Sequence, residues 1–328
     1  MDGSISRVKV ALVRCEDYEP ARVGEAVRRQ WELLGGLETL VKRGDTVLLK
    51  PNFIAPRSHR HSAAQTHPAV ILEIARLLKD YGAKPFVADS PAWTTAAVCA
   101  RVLGLTEPLR RLGVPIRQLN APRSCRLAPG GPKVGISAAA LDADVIVNLP
   151  KFKTHQQMVA TFAVKNVFGC VSGKRKALWH FRKGNTAGEF AGLLVGVCQY
   201  LRPAVTIIDG IVAMHGQGPI RGKSKSLGWL IGGTDPIACE VVCCRLIGLE
   251  PGRLPILQAA RQIGFGCSDP GRIEVVGDAL PSTSCLGFEL ANMTPVKFSF
   301  GRVCRSITRQ LLLLAQGLKP GKGRPAEE

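Results

Sequence analysis

Four short apolar runs in this chain stop on the same kinds of residue. Thr46–Lys50 ends at Pro51-Asn52, Pro85–Ala88 at Asp89-Ser90, Val145–Leu149 at Pro150, and Val205–Ile208 at Asp209-Gly210. Runs this short and this continuously apolar read as strands buried on both faces, the habit of parallel sheets. Helical signals fill the gaps between them. Val70, Ile71, Ile74, Leu77 and Leu78 form one stripe behind Pro68, with Thr66 as the expected cap and Gly82 as the stop. Thr186 and Glu189 make a capping box for Phe190–Leu201, and Asp235-Pro236 opens a helix towards Ile247. Further strands are expected at Val8–Val13, Pro115–Leu119, Leu227–Ile231 and Ile273–Val276, and further helices at Ala21–Leu34, Thr95–Leu103 and Pro255–Ile263. The alternation predicts an α/β fold with a mainly parallel sheet flanked by helices. One such domain is expected over residues 1–300, with a division into two lobes around a central cleft placed near 150–180. Residues 120–131, rich in Pro and Gly, are expected to be exposed, and 134–141 fit either strand or helix. Residues 301–328 read as a basic helix and a disordered tail.

The stops carry chemistry. Ligands of open α/β sheets bind outside the carboxyl ends of the strands. Lys50 and Asn52, Asp89, Asn148, Asp209 and Asp235 all fall at such expected ends, and they converge if the strands are parallel. The richest segment follows Val145–Leu149 and reads PKFKTHQQMVATFAVKNVFG. Its Lys151, Lys153, Thr154 and His155, expected on a loop, together with Lys165 and Asn166, point to an anionic ligand, since ammonium groups offer charge and donors but no acceptor. Lys151, Lys153 and Lys165 would neutralise the anion, and His155 would serve as general acid or base. Lys50, Asn52, Thr154 and Asn166 are candidate substrate contacts, as is Gly218 in the loop HGQGP. Asp89, Asp209 and Asp235 are candidate ligands for a divalent cation, with oxygen donors favouring Mg²⁺ or Mn²⁺, or else would orient the histidine. His59 and His61 have H-x-H spacing, but the neighbouring Arg57 and Arg60 would repel a dication.

Composition narrows the setting. A net charge of +19 favours acidic partners, yet the cations are scattered and aromatics are only 5% of residues, which argues against a nucleic-acid binder. The eleven cysteines show no C-x-x-C spacing, and a chain of 328 residues needs no disulfide staple, so a reducing cytoplasm is expected. No membrane span is expected, because Asp235, Pro236, Glu240 and Arg245 interrupt the longest apolar stretch. The start, MDGSISRVKVALVRCED, lacks an apolar core of signal length.

The ordered set Lys50-Pro51-Asn52, Thr66-His67-Pro68, Ala88-Asp89-Ser90, Asn148 to His155, Lys165 to Gly169, Asp209-Gly210-Ile211, Gly216 to Pro219 and Asp235 to Ala238 resembles the bacterial and archaeal family of domain of unknown function 362. The resemblance spans roughly residues 8 to 250. It implies kinship with iron–sulfur proteins, because in many members a ferredoxin-like cysteine cluster follows the domain. Here Cys267, Cys285 and Cys304 are far apart, so no intrinsic cluster is expected. The acid usual after Asp-Pro-x-Ala is present as Glu240.

An enzyme acting on a small anionic metabolite, carboxylate or phosphate, is the leading expectation. An accessory redox protein working with a separate iron–sulfur partner, and a nucleic-acid-binding module, are the alternatives.

Overall fold

In the computed structural model, residues 7–56, 58–59, 63–91, 94–172, 179, 186–281 and 287–293 are described. The apolar runs do form strands: β1 (Val8–Arg14), β2 (Thr46–Pro51), β3 (Lys84–Asp89), β4 (Ile116–Gln118), β7 (Val145–Leu149), β10 (Val205–His215), β11 (Lys223–Gly233) and β12 (Ile273–Gly277). They make one sheet in the order β12-β1-β11-β10-β7-β2-β3-β4. Every neighbouring pair is parallel except those made by β11, which runs antiparallel to β1 and β10. The sheet is therefore mainly parallel, and the chain is α/β.

Helices cover both faces, since successive side chains of a strand point to opposite sides and on the central strands both sides are buried. On β2, Val47 and Leu49 pack with α1 (Pro20–Leu33), α2 (Pro68–Tyr81), α3 (Ala96–Val102) and α4 (Thr106–Arg111), while Leu48 faces the other way. That second face is covered by α7 (Ala187–Leu201), α8 (Pro236–Leu246) and α9 (Pro255–Ile263).

Several local expectations change. Residues 122–126, exposed as expected but for Cys125, form with 133–137 an antiparallel hairpin, β5 and β6, and the ambiguous 134–141 divide between β6 and the single turn α5 (Ala138–Leu141). The α2 cap is His67, whose Nδ1 accepts the Ala69 N–H at 3.2 Å; the Thr66 hydroxyl is occupied in donating to the Leu149 carbonyl at 2.6 Å. The segment after Pro150 is a strand rather than a loop: β8 (Lys151–His155) pairs in parallel with the outer half of β10 and folds back on β9 (Val159–Thr161). β7 and β8 thus form a nearly continuous line beside β10, broken at Pro150, and β10 runs on through Asp209 instead of ending there. The turn α6 (Val164–Val167) follows β9 and carries Lys165 and Asn166. The basic helix and tail expected over 301–328 lie outside the described residues.

Candidate functional site

Parallel register brings the strand ends together. Lys50 lies opposite Asn148, and Lys151 opposite Asp209. Residues two apart on a strand share a face, so Lys151, Lys153 and His155 line one side of β8, while Phe152 on the other side is buried in the core.

The cations fall into two kinds. Lys50 and Asp89 form a buried ion pair at 2.9 Å. The Lys50 ammonium also donates to the Pro51 carbonyl at 2.7 Å, and Asp89 accepts the backbone N–H groups of Phe53 (2.8 Å) and Ser90 (2.6 Å). Lys151 and Asp209 form a second buried pair at 2.7 Å. The Tyr18 hydroxyl joins it, accepting from Lys151 at 2.7 Å and donating to Asp209 at 2.7 Å, and the His67 backbone N–H donates to the same carboxylate at 2.9 Å. The Tyr18 ring stacks on the His67 ring at 3.5 Å.

Among the described residues, Lys153 and Lys165 have no carboxylate partner. Lys153 is buried and donates to the Asn52 side-chain oxygen and, at 2.8 Å, to the Ala64 carbonyl. Asn52 donates in turn to Asn166 (3.0 Å), Asn166 to Asn148 (2.8 Å) and to the Lys50 carbonyl (2.9 Å), and Asn148 to the Ala163 carbonyl (3.0 Å) and Thr206 (3.2 Å). Lys165, only partly buried as a residue, has no hydrogen-bond or ion-pair partner among the described residues.

Burial dominates the ionisation of the group, because low polarity penalises the charged form. It pushes Lys153 well below the ordinary ammonium value, with the Lys165 and Lys151 charges adding to the fall and Asp89 opposing it. Lys165 is lowered to about 8 by burial and then by Lys50. Lys151 is lowered by burial against the pull of Asp209. Burial, followed by the Asp209 charge, drives the Tyr18 phenol up, and burial drives the His67 imidazole down to about 3, so both stay neutral.

Besides Tyr18 and His67, Gly169 and Glu240 also build this site from outside the expected set. At Gly169 a Cβ would stand 2.4 Å from Lys50 Cε and 2.5 Å from an Asp89 oxygen, so only glycine lets this segment lie against the ion pair. Glu240, fully buried on α8, accepts the N–H groups of Ala163 and Val164 at 2.9 Å each and so tethers the turn that carries Lys165 and Asn166. Burial raises its carboxyl to about 7, with the backbone donors of Val164 and Ala163 opposing.

The remaining expected residues are placed differently. His155 is buried at the far end of β8, its Nδ1 accepting the Gln157 N–H at 3.1 Å. The Thr154 hydroxyl donates to the Gly216 carbonyl at 2.8 Å, and a Cβ on Gly218 would come within 2.1 Å of the Thr154 carbonyl oxygen; that glycine serves the close approach of loop to strand. Asp235 is not brought to the site. It follows the antiparallel strand β11 and so emerges at the opposite edge, beside the starts of β1 and β10. There it caps α8 through Ile237 N–H (2.8 Å) and Ala238 N–H (3.1 Å), and accepts Cys267 N–H at 2.7 Å. Asp89 and Asp209 are engaged by lysines, and among the described residues no group of three or more His, Cys, Asp or Glu side chains is arranged to hold a metal ion. The described cysteines are buried free thiols, and burial raises those of Cys239, Cys243 and Cys244.

Among the described residues no helix is long and apolar enough to cross a membrane. The chain is 34% identical over 306 residues to a thylakoid-associated protein of Synechocystis sp., with 90% of this chain and 92% of that one covered. Among solved structures, the lactate racemase apoprotein of Thermoanaerobacterium thermosaccharolyticum matches 74% of this chain with 15% identity and a TM-score of 0.45. A Thermotoga maritima protein matches 68% with 10% identity and a TM-score of 0.42. This chain spans 59% and 57% of those two structures. Residues 47–245, from β2 with Lys50 through α8 with Glu240, match the family described as Domain of unknown function (DUF362), and the chain belongs to that family.

Proposed function

We propose that the strand-end site binds a small anion bearing a carboxylate or a phosphate, and that the protein acts on it as an enzyme. The observation that carries this is the imbalance of charge: four lysines, three of them buried, face two carboxylates. A buried cation without a counter-charge costs several kcal/mol, and a bound anion relieves that cost. Donors are available as well. An ammonium has three N–H groups; Lys50, Lys151 and Lys153 each spend two on protein atoms, and Lys165 spends none on the described residues. In this scheme Asn52, Asn148 and Asn166 hold the lysines in place. His155, on the same face of β8, is the acid or base, and a divalent metal is not needed to hold the anion. The buried free thiols support a reducing, cytoplasmic setting.

Binding an anion raises the pKa of Lys153 and Lys165, so it takes up protons. Titration calorimetry with inorganic phosphate and with glyoxylate, in buffers of different ionisation heat, should show net proton uptake, and affinity should fall as pH climbs past about 8. Absence of any anion binding, or binding with no proton uptake, sinks the proposal.

A further inference from the structure

We infer that Lys165 is a covalent carbonyl-capture site, its ε-amino group condensing with an aldehyde or 2-oxo compound that carries an anionic group. The inference rests on the anion site proposed above. Three of the four lysines are unsuited to attack, because their nitrogens are buried and hydrogen-bonded to two protein atoms each. Lys165 differs: as a residue it is only partly buried, it has no partner among the described residues, and it stands on a one-turn helix facing the Lys50 charge. The nucleophile must be the neutral amine, and near pH 8 about half of Lys165 is neutral, against well under 1% for an ordinary lysine. The nearby Lys50 and Lys153 ammonium groups, with one N–H to spare apiece, would hold the anionic end of the ligand and bring its carbonyl carbon to the amine.

The step balances without an oxidant or a metal. The Lys165 nitrogen lone pair forms the C–N bond while the carbonyl π electrons move to oxygen. A proton passes from nitrogen to that oxygen to give a carbinolamine, and loss of water leaves the imine, which water can hydrolyse again.

Reductive trapping tests this on the full chain. Glyoxylate with cyanoborohydride at pH 8, followed by peptide mapping, should label Lys165 on the order of tenfold faster than the exposed Lys42, Lys84 and Lys133, the excess of neutral amine outweighing its lower basicity. Inorganic phosphate should suppress the Lys165 label alone, propanal, which has no charge, should show little preference for it, and Lys165→Arg should remove it. Labelling of Lys165 no faster than of those exposed lysines overturns the inference. If phosphate still stabilises the wild-type protein to heat in that case, the anion site stands and only the covalent step falls. If phosphate neither stabilises nor competes, the anion site and the covalent step fall together.

Discussion

Two pairs of lysines share one edge of this sheet and live by different rules. Lys50 and Lys151 each face a buried aspartate; backbone N–H groups complete both pairs, and the Tyr18 hydroxyl joins the second. Lys153 faces an amide and a carbonyl, and Lys165 faces the charges of Lys153 and Lys50. The first pair follows the usual condition for burying charge, which is partnership. The second violates it, and proteins break such rules mostly where a ligand is to complete the arrangement. Lysine content alone would not have separated the two; the positions of Asp89 and Asp209 do.

The sharpest way to break this division is to turn a paired lysine into an unpaired one. Asp209→Ala leaves Lys151 buried with only Tyr18 for company and should cost about 3 to 5 kcal/mol in denaturant unfolding. A loss below about 1 kcal/mol would mean that the pair is solvated and that the distinction is false.

Removing an unpaired lysine should act the other way. Because folding lowers the Lys165 pKa, the unfolded chain holds that proton more tightly, and wild-type stability should rise as pH climbs from about 8 towards the unfolded value near 10.4. Lys165→Met should therefore stabilise the protein below pH 8, by about 1 to 3 kcal/mol. The gain should shrink at higher pH, and the response to phosphate should weaken. A destabilised Lys165→Met protein would show that the ammonium is satisfied in the fold.

The smallest effect belongs to the aspartate at the other edge. Asp235→Ala should cost about 1 kcal/mol as a lost helix cap and leave phosphate-induced stabilisation unchanged. Loss of that stabilisation would return Asp235 to the site.

Asp235 also shows where sequence stops informing. Asp89, Asp209 and Asp235 follow apolar runs in the same way, and the runs did announce strands. Strand direction is written nowhere in a run of apolar residues, and the reversal of β11 sends Asp235 to the wrong side. Lys151–His155 read as a loop because burial was inferred from apolarity; a strand buried beneath polar partners gives no such signal, although Pro150 did mark the break. Tyr18 is 133 residues from Lys151 and 191 from Asp209, so its place in the site depends on how β1 is ordered in the sheet. His67 was visible in the motif Thr66-His67-Pro68, but as part of a helix start, and that is half of its role. That Lys50, Lys151, Lys153, Lys165, Asn52 and Asn166 would converge was legible, since cations and amides clustered at the ends of expected parallel strands.

The three asparagines behind Lys153 are oriented head to tail. Asn52 turns its oxygen to the lysine and its nitrogen to Asn166, Asn166 repeats the arrangement towards Asn148, and Asn148 ends on the Ala163 carbonyl. Each amide has its negative end towards the ammonium, so the chain behaves as a column of aligned dipoles, each polarising the next. A column of this kind shares the work of a counter-ion while carrying no net charge. It steadies the ammonium from behind and leaves its formal charge uncancelled for whatever approaches from the front. It also runs one way only: the Lys50 and Ala163 carbonyls, which can only accept, fix the amides of Asn166 and Asn148, so the backbone sets the direction in which the column points at Lys153.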